Sequence, residues 1–91
     1  MEYEFDQAKE EPNVAERGLS LALAPLPFED LLHVADDDRR DYGERRQVAY
    51  GRIAGRLFVC VFTDRGEVRR IISLRRANSR ERRAYDPQDH A

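Results

Sequence analysis

The six residues Leu57 to Phe62 read LFVCVF, an unbroken apolar run that only a strand buried on both faces or a buried helix segment tolerates. Turn signals on either side settle its length. Ala54-Gly55 comes before it and Asp64-Arg65-Gly66 after it, so the segment Arg56–Thr63 has the length of a strand and is short for a core helix. This run predicts a central strand. Arg46–Ile53 alternates well enough to be its antiparallel partner, and Val68–Leu74 reads as a third strand. Two hairpins in succession make an antiparallel meander, and everything else must pack around it.

The flanking segments read as helices. Asp6 is a good N-cap for a helix over Gln7 to Arg17 that ends at Gly18. Pro12 opposes it, because a mid-helix proline costs roughly 3 kcal/mol or more, so a late start or a kink is expected. Glu2–Phe5 fits a short strand with Tyr3 and Phe5 on one face. Leu19–Ala24 fits a second short helix stopped by Pro25-Leu26-Pro27, Phe28 to Val34 fits either strand or loop, and Asp36–Glu44 is a charge-dense loop. Asn78 caps a last helix, Ser79–Tyr85, with Glu81 three residues on to complete a capping box. The expectation is an α+β fold: a meander of three to four antiparallel strands, N-terminal helices and a C-terminal helix. Residues 1–85 form one domain and 86–91 a frayed tail.

Charge is distributed unevenly. Residues 1–44 hold thirteen Asp/Glu and four Lys/Arg, whereas residues 45–91 hold five and twelve. Such a split predicts either two functional faces or an internal electrostatic match. Lys9 is the only lysine, so nearly all positive charge is guanidinium. The single cysteine, Cys60, excludes an internal disulfide and lies in the apolar run, where a buried inert thiol is expected. No stretch has the length of a membrane span, and the N-terminus MEYEFDQAKEE is too acidic for a signal or transit peptide. A soluble, cytoplasmic protein is expected. No cofactor or metal is expected either: His33 and His90 have no partners at ligand spacing, and Asp36-Asp37-Asp38 lacks the glycine and distal glutamate of a calcium loop. No glycine elbow or glycine-rich phosphate loop is present.

What remains is arginine. Seven fall between Arg69 and Arg83, in a strand that ends in Arg75-Arg76 and opens into an arginine-studded helix. The planar donor fork of arginine matches phosphate, so this stretch suits a nucleic-acid backbone. The plainer reading is a solvated face paired with the chain's many carboxylates. The loop DDDRRDYGERR (Asp36–Arg46) adds Arg39, Arg40, Arg45 and Arg46. Were it to lie near the end of the third strand, several guanidiniums would converge on one concavity suited to a phosphodiester transition state.

DDDRRDYGERR, the hairpin and helix RGEVRRIISLRRANSRERRAY, and the opening EFDQAK together resemble the BrnT family of bacterial toxins, also described as domain of unknown function 497. The resemblance spans nearly the whole chain. It implies a toxin of a type II toxin–antitoxin pair with a RelE-like ribonuclease fold that blocks translation. It also implies a partner antitoxin, a small ribbon-helix-helix DNA-binding protein bound in equal number. The matching positions are Lys9, Glu44, Arg45, Ser73, Arg75, Asn78, Glu81, Arg82 and Tyr85. Where the family often has Lys-His-Gly, this chain has Glu16-Arg17-Gly18, and the segment Ala24–Phe28 departs from a helical Phe-Glu-Glu-Ala pattern. A histidine acid/base is therefore missing at that point.

The reading that follows is a metal-independent endoribonuclease in which an RNA 2′-hydroxyl attacks the adjacent phosphate. Arg75, with Arg39 or Arg45, would neutralise the phosphate, and Lys9 or Glu44 would handle protons. RNA would lie along Arg39, Arg40, Arg70, Arg76, Arg80 and Arg83. Strand alternation puts Arg75 on a face with Arg69, Ile71 and Ser73, shared with Arg45 and Lys9, and leaves Arg76 on the other face, solvated or ion-paired. The alternatives are a non-catalytic module that binds nucleic acid or protein, and an assembly partner whose acidic half docks a basic segment.

Overall fold

The computed structural model describes residues 1–39 and 41–89. Arg40 and His90, singled out in the sequence, and Ala91 lie outside the described residues. The elements run β1 (Glu2–Phe5), α1 (Gln7–Arg17), a 3-10 turn (Leu21–Leu23), α2 (Pro25–Glu29), β2 (Leu31–Asp37), β3 (Arg46–Ile53), β4 (Arg56–Arg65), β5 (Val68–Arg76) and α3 (Ser79–Tyr85). The five strands form one mixed sheet in the order β1-β5-β4-β3-β2. The expected class, α+β, is what is found, and β4 is the central strand. The sheet is larger than expected: β2 through β5 are antiparallel in sequence order, and β1 adds a fifth strand, parallel to β5.

Each face of β4 has its own core. Cys60 and Phe62 join Ala49, Ile71, Leu74, Leu21 and Ala24 under the 3-10 turn and α2, with Phe28 packed alongside. Leu57 and Val59 join Ala77, Val48, Tyr50 and Tyr85 on the opposite face, where α3 starts and ends. This second face is only partly covered, and the candidate site lies on its open part.

Three local expectations fail for identifiable reasons. The short helix expected over Leu19–Ala24 is a 3-10 turn that does end before Pro25, but the Pro25-Leu26-Pro27 segment then begins a helix of its own, because Pro25 and Pro27 occupy first-turn positions whose N–H groups have no intrahelical acceptor anyway. Pro12 neither delays nor ends α1. Asp6 accepts a hydrogen bond from the Ala8 N–H, the helix starts at Gln7, and Gly18 closes it in the left-handed conformation. Residues 86–89 of the tail expected to fray are pinned by two buried carboxylates. Asp86 takes both Arg52 nitrogens at 2.9 Å, and Asp89 accepts from the Leu57 N–H at 2.6 Å and pairs with Arg76 at 2.8 Å.

Candidate functional site

Arg75 reaches the open face because β5 is bulged. Val61 pairs with Ser73 and Phe62 with Ile71, leaving Ile72 as an extra residue on β5. A bulge reverses the alternation beyond it. Arg69 and Ile71 therefore face the helix-covered side, where the Arg69 guanidinium lies 4.3 Å from the Phe28 ring centroid. Ser73 and Arg75 turn to the other side, and Leu74 and Arg76 return to the first. The terminal arginines point to opposite faces as expected, but Arg75 does not share one with Arg69 and Ile71, and its companions differ from those expected.

The companions line a pocket of about 340 Å³ whose floor is Val48, Val59 and Val61 and whose walls include Arg17, Asp36, Asp37, Asp38, Arg39, Tyr50, Ser73, Arg75 and Glu81. Two guanidiniums in it are each held by a carboxylate through a pair of hydrogen bonds. Arg75 donates to both Glu81 oxygens at 2.8 Å. Arg39 donates to Asp37 at 2.7 and 2.9 Å, and the Asp37 side chain is almost fully buried while Arg39 is largely exposed. The hydrogen bond from Arg75 holds Glu81 below the usual carboxylate range, and that from Arg39 does the same to Asp37. Both arginines are correspondingly pushed up, and Arg75 also senses the positive charge of Arg39. Burial, with the Tyr85 and Glu81 neighbours, raises the Tyr50 phenol, so at neutral pH it is a proton donor.

The other expected site residues lie elsewhere. Glu44 binds Arg65 at 2.9 Å and Arg46 at 3.6 Å, and Arg45 binds Asp36; Glu44, Arg45 and Arg46 line a neighbouring hollow on the far side of Asp36–Asp38. Lys9 is exposed on α1 and lines neither cavity. Arg70 is engaged with Glu4 and Asp6, and Arg76 with Asp89 and the Leu57 carbonyl. Arg80 and Arg83 are exposed on α3 and make no ion pair among the described residues. The plainer reading of the arginines thus holds for most of them, and the pocket arginines are the ones placed for another use.

Sequence reasoning missed Arg17, Tyr50 and His33. Arg17 donates to the Asn13 side chain, whose amide bridges the Leu19 and Leu74 carbonyls, and this carries the end of α1 to the pocket. The one available signal was its position, since it stands where the resembled family often has histidine. His33 sits beside Tyr50 and Tyr85, and no periodicity argument would have placed it there.

The family model for BrnT, the ribonuclease toxin of type II toxin–antitoxin systems, matches residues 5–81. The chain belongs to the BrnT family. No curated relative matches it. BrnT membership makes the chain a ribonuclease toxin of a type II pair, and such a toxin has an antitoxin partner. The matched stretch contains every BrnT pocket residue named above, from Arg17 to Glu81, and ends before Tyr85 and the pinned tail. Among the described residues no group of His, Cys, Asp and Glu could hold a metal, and no helix is long and apolar enough to cross a membrane.

Proposed function

We propose that this BrnT chain is an endoribonuclease that works without a metal, on a RelE-like plan, and that it blocks translation by cutting RNA. The observation that carries the reading is the bulge-directed Arg75, opposite Arg39, in a pocket that also presents Arg17 and the protonated Tyr50. In this chemistry the RNA 2′-hydroxyl attacks the neighbouring phosphorus and the 5′-oxygen leaves. The products are a 2′,3′-cyclic phosphate and a 5′-hydroxyl. Extra negative charge on the five-coordinate phosphorus falls where Arg75 and Arg39 point, and preorganised donors at such a position contribute about 10²–10³ in rate each. Tyr50 donates to the departing oxygen, and an ionised pocket carboxylate accepts the 2′-hydroxyl proton. These assignments take the place of Lys9 and Glu44 as proton handlers and of Arg45 as a clamp, because all three lie outside the pocket.

RNA leaves the pocket past α3, where Arg80 and Arg83 supply sequence-independent phosphate contacts. The partner is a ribbon-helix-helix antitoxin, and the acidic N-terminal half offers it a surface complementary to a basic segment. A second reading, a binding module without catalysis, is favoured by one observation: Arg39 and Arg75 already hold carboxylates that phosphate would have to displace.

Cleavage of a long RNA by purified protein, with and without chelator, separates the two. Chelator-resistant cutting is the expected result, and salt-sensitive binding without cutting would establish the second reading. Arg75→Ala should lower cleavage by about 100-fold or more and abolish growth inhibition at matched expression. Arg75→Lys should recover only part, because the shape of guanidinium matters as well as its charge. Arg56→Ala, at an exposed arginine of β4 that lines neither cavity, is the control and should stay within a few-fold of wild type. Undiminished toxicity of Arg75→Ala would remove Arg75 from the mechanism.

A further inference from the structure

A second bulge, in β2, re-aims a second side chain onto the face of the pocket. Leu31 pairs with Gly51 and His33 with Tyr50, so Leu32 is the extra residue. Without it His33 would stand opposite Ala49, on the helix-covered face. With it, the His33 ring lies parallel to that of Tyr85, with centroids 4.8 Å apart and 13° between the planes. Tyr85 in turn is 4.2 Å from Tyr50, which lines the pocket beside Arg75. The three rings form a three-way cluster at the side of the pocket, since His33 also lies 5.8 Å from Tyr50, tilted by 38°, and is stacked on Tyr85 alone. Tyr50 and Tyr85 are partly buried in it, and His33 is exposed. The cluster has little need of an imidazole on its open side if its only task is to cover Leu57 and Val59, which Tyr50 and Tyr85 already do.

We propose that the exposed His33 ring, backed by Tyr85, is a stacking platform for one unpaired nucleobase of the RNA strand whose phosphate Arg75 holds. The proposal rests on the ribonuclease reading above and adds a base subsite to it. Proteins that take single-stranded RNA hold unstacked bases on exposed aromatic faces and their phosphates on adjoining guanidiniums. Stacking accepts any base, so the platform sets register rather than sequence. It keeps the strand extended past Tyr50 and so brings one particular phosphodiester to Arg75.

The probe is a short, fluorescein-labelled, single-stranded RNA with 2′-O-methyl groups throughout, which removes the attacking hydroxyl and separates binding from cleavage. Its affinity is measured by anisotropy for wild type, His33→Ala, His33→Phe and Arg75→Ala, each with an intact oligonucleotide and with a set carrying a single abasic site at successive positions. Stacking on one aromatic residue corresponds to about a 5- to 100-fold change in affinity. The expected results are a loss of about tenfold for His33→Ala, near wild-type affinity for His33→Phe, and one abasic position that weakens wild type but not His33→Ala. If His33→Ala binds like wild type while Arg75→Ala does not, the platform is wrong and the phosphate clamp stands. An abasic penalty as large in His33→Ala as in wild type would also overturn it. If wild type itself binds no RNA, the ribonuclease reading fails and takes the platform with it.

Discussion

Glu81 does two things with one carboxylate. One oxygen accepts the Asn78 N–H at 2.9 Å and so closes the capping box of α3, and both oxygens hold Arg75. The sequence made the cap legible, since Asn-x-x-Glu is a helix-start signature, but the link to Arg75 depended on a bulge with no sequence signature. The two roles separate by mutation. Glu81→Gln keeps an acceptor for Asn78 and should change stability little, whereas Glu81→Ala removes the cap and should cost about 1 kcal/mol. A double-mutant cycle of Glu81→Gln with Arg75→Met should give a coupling of at most about 1 kcal/mol, because Arg75 is more than a third exposed and water screens the pair. Urea denaturation of the four proteins measures both. A larger coupling would mean that Arg75 is primarily a structural residue. Arg76→Ala behaves differently: it strips a charge partner from buried Asp89, so any loss of toxicity it causes must first be checked against folding.

At the scale of elements, the segments whose signals are local were readable and those set by packing were not. β3 and α3 have the predicted bounds, because alternation and a capping box are written in consecutive residues. β4 and β5 were placed correctly and run two residues further than expected. α2 was missed because its formation depends on Gly51. A Cβ on Gly51 would sit 1.9 Å from the Pro27 carbonyl oxygen, so the missing side chain on β3 is what lets α2 lie flat on the sheet. Gly51→Ala must push α2 away from the core that Phe28 and Ala24 help to fill, and should cost about 2–3 kcal/mol. The urea midpoint measures this, and an unchanged midpoint would show that α2 contributes nothing to stability. The two bulges are the same kind of omission on a smaller scale. An extra residue at Leu32 and another at Ile72 leave the strands recognisable while exchanging the faces of His33 and Arg75, which is why the strands were legible and the site was not.

For the whole molecule, the lopsided charge of the two halves proves to be in part an internal match. Arg45, Arg52, Arg65 and Arg70 of the basic half reach Asp36, Asp30, Glu44 and Glu4 of the acidic half. Buried pairs then fasten residues 86–89 to the sheet, Asp86 on Arg52 and Asp89 on Arg76. This arrangement fixes the direction of the pH dependence. The Arg52 hydrogen bonds hold Asp86 below its ordinary value of 3.8, and Asp37 and Glu81 are depressed by their own arginines. A depressed native carboxylate means that the unfolded chain takes up protons first as pH falls. The stability these groups contribute is complete above the ordinary carboxylate range, and it is lost as pH drops through their folded values. The urea midpoint should therefore be flat near neutrality and decline below about pH 4.5. Asp86 can be isolated within that decline. Asp86→Asn should be less stable than wild type at neutral pH by on the order of 2 kcal/mol, and the gap should close as the wild-type carboxylate is protonated. A gap that stays constant down to about pH 2.5 would mean that the Asp86 charge contributes nothing and that shape alone seats the tail on the sheet.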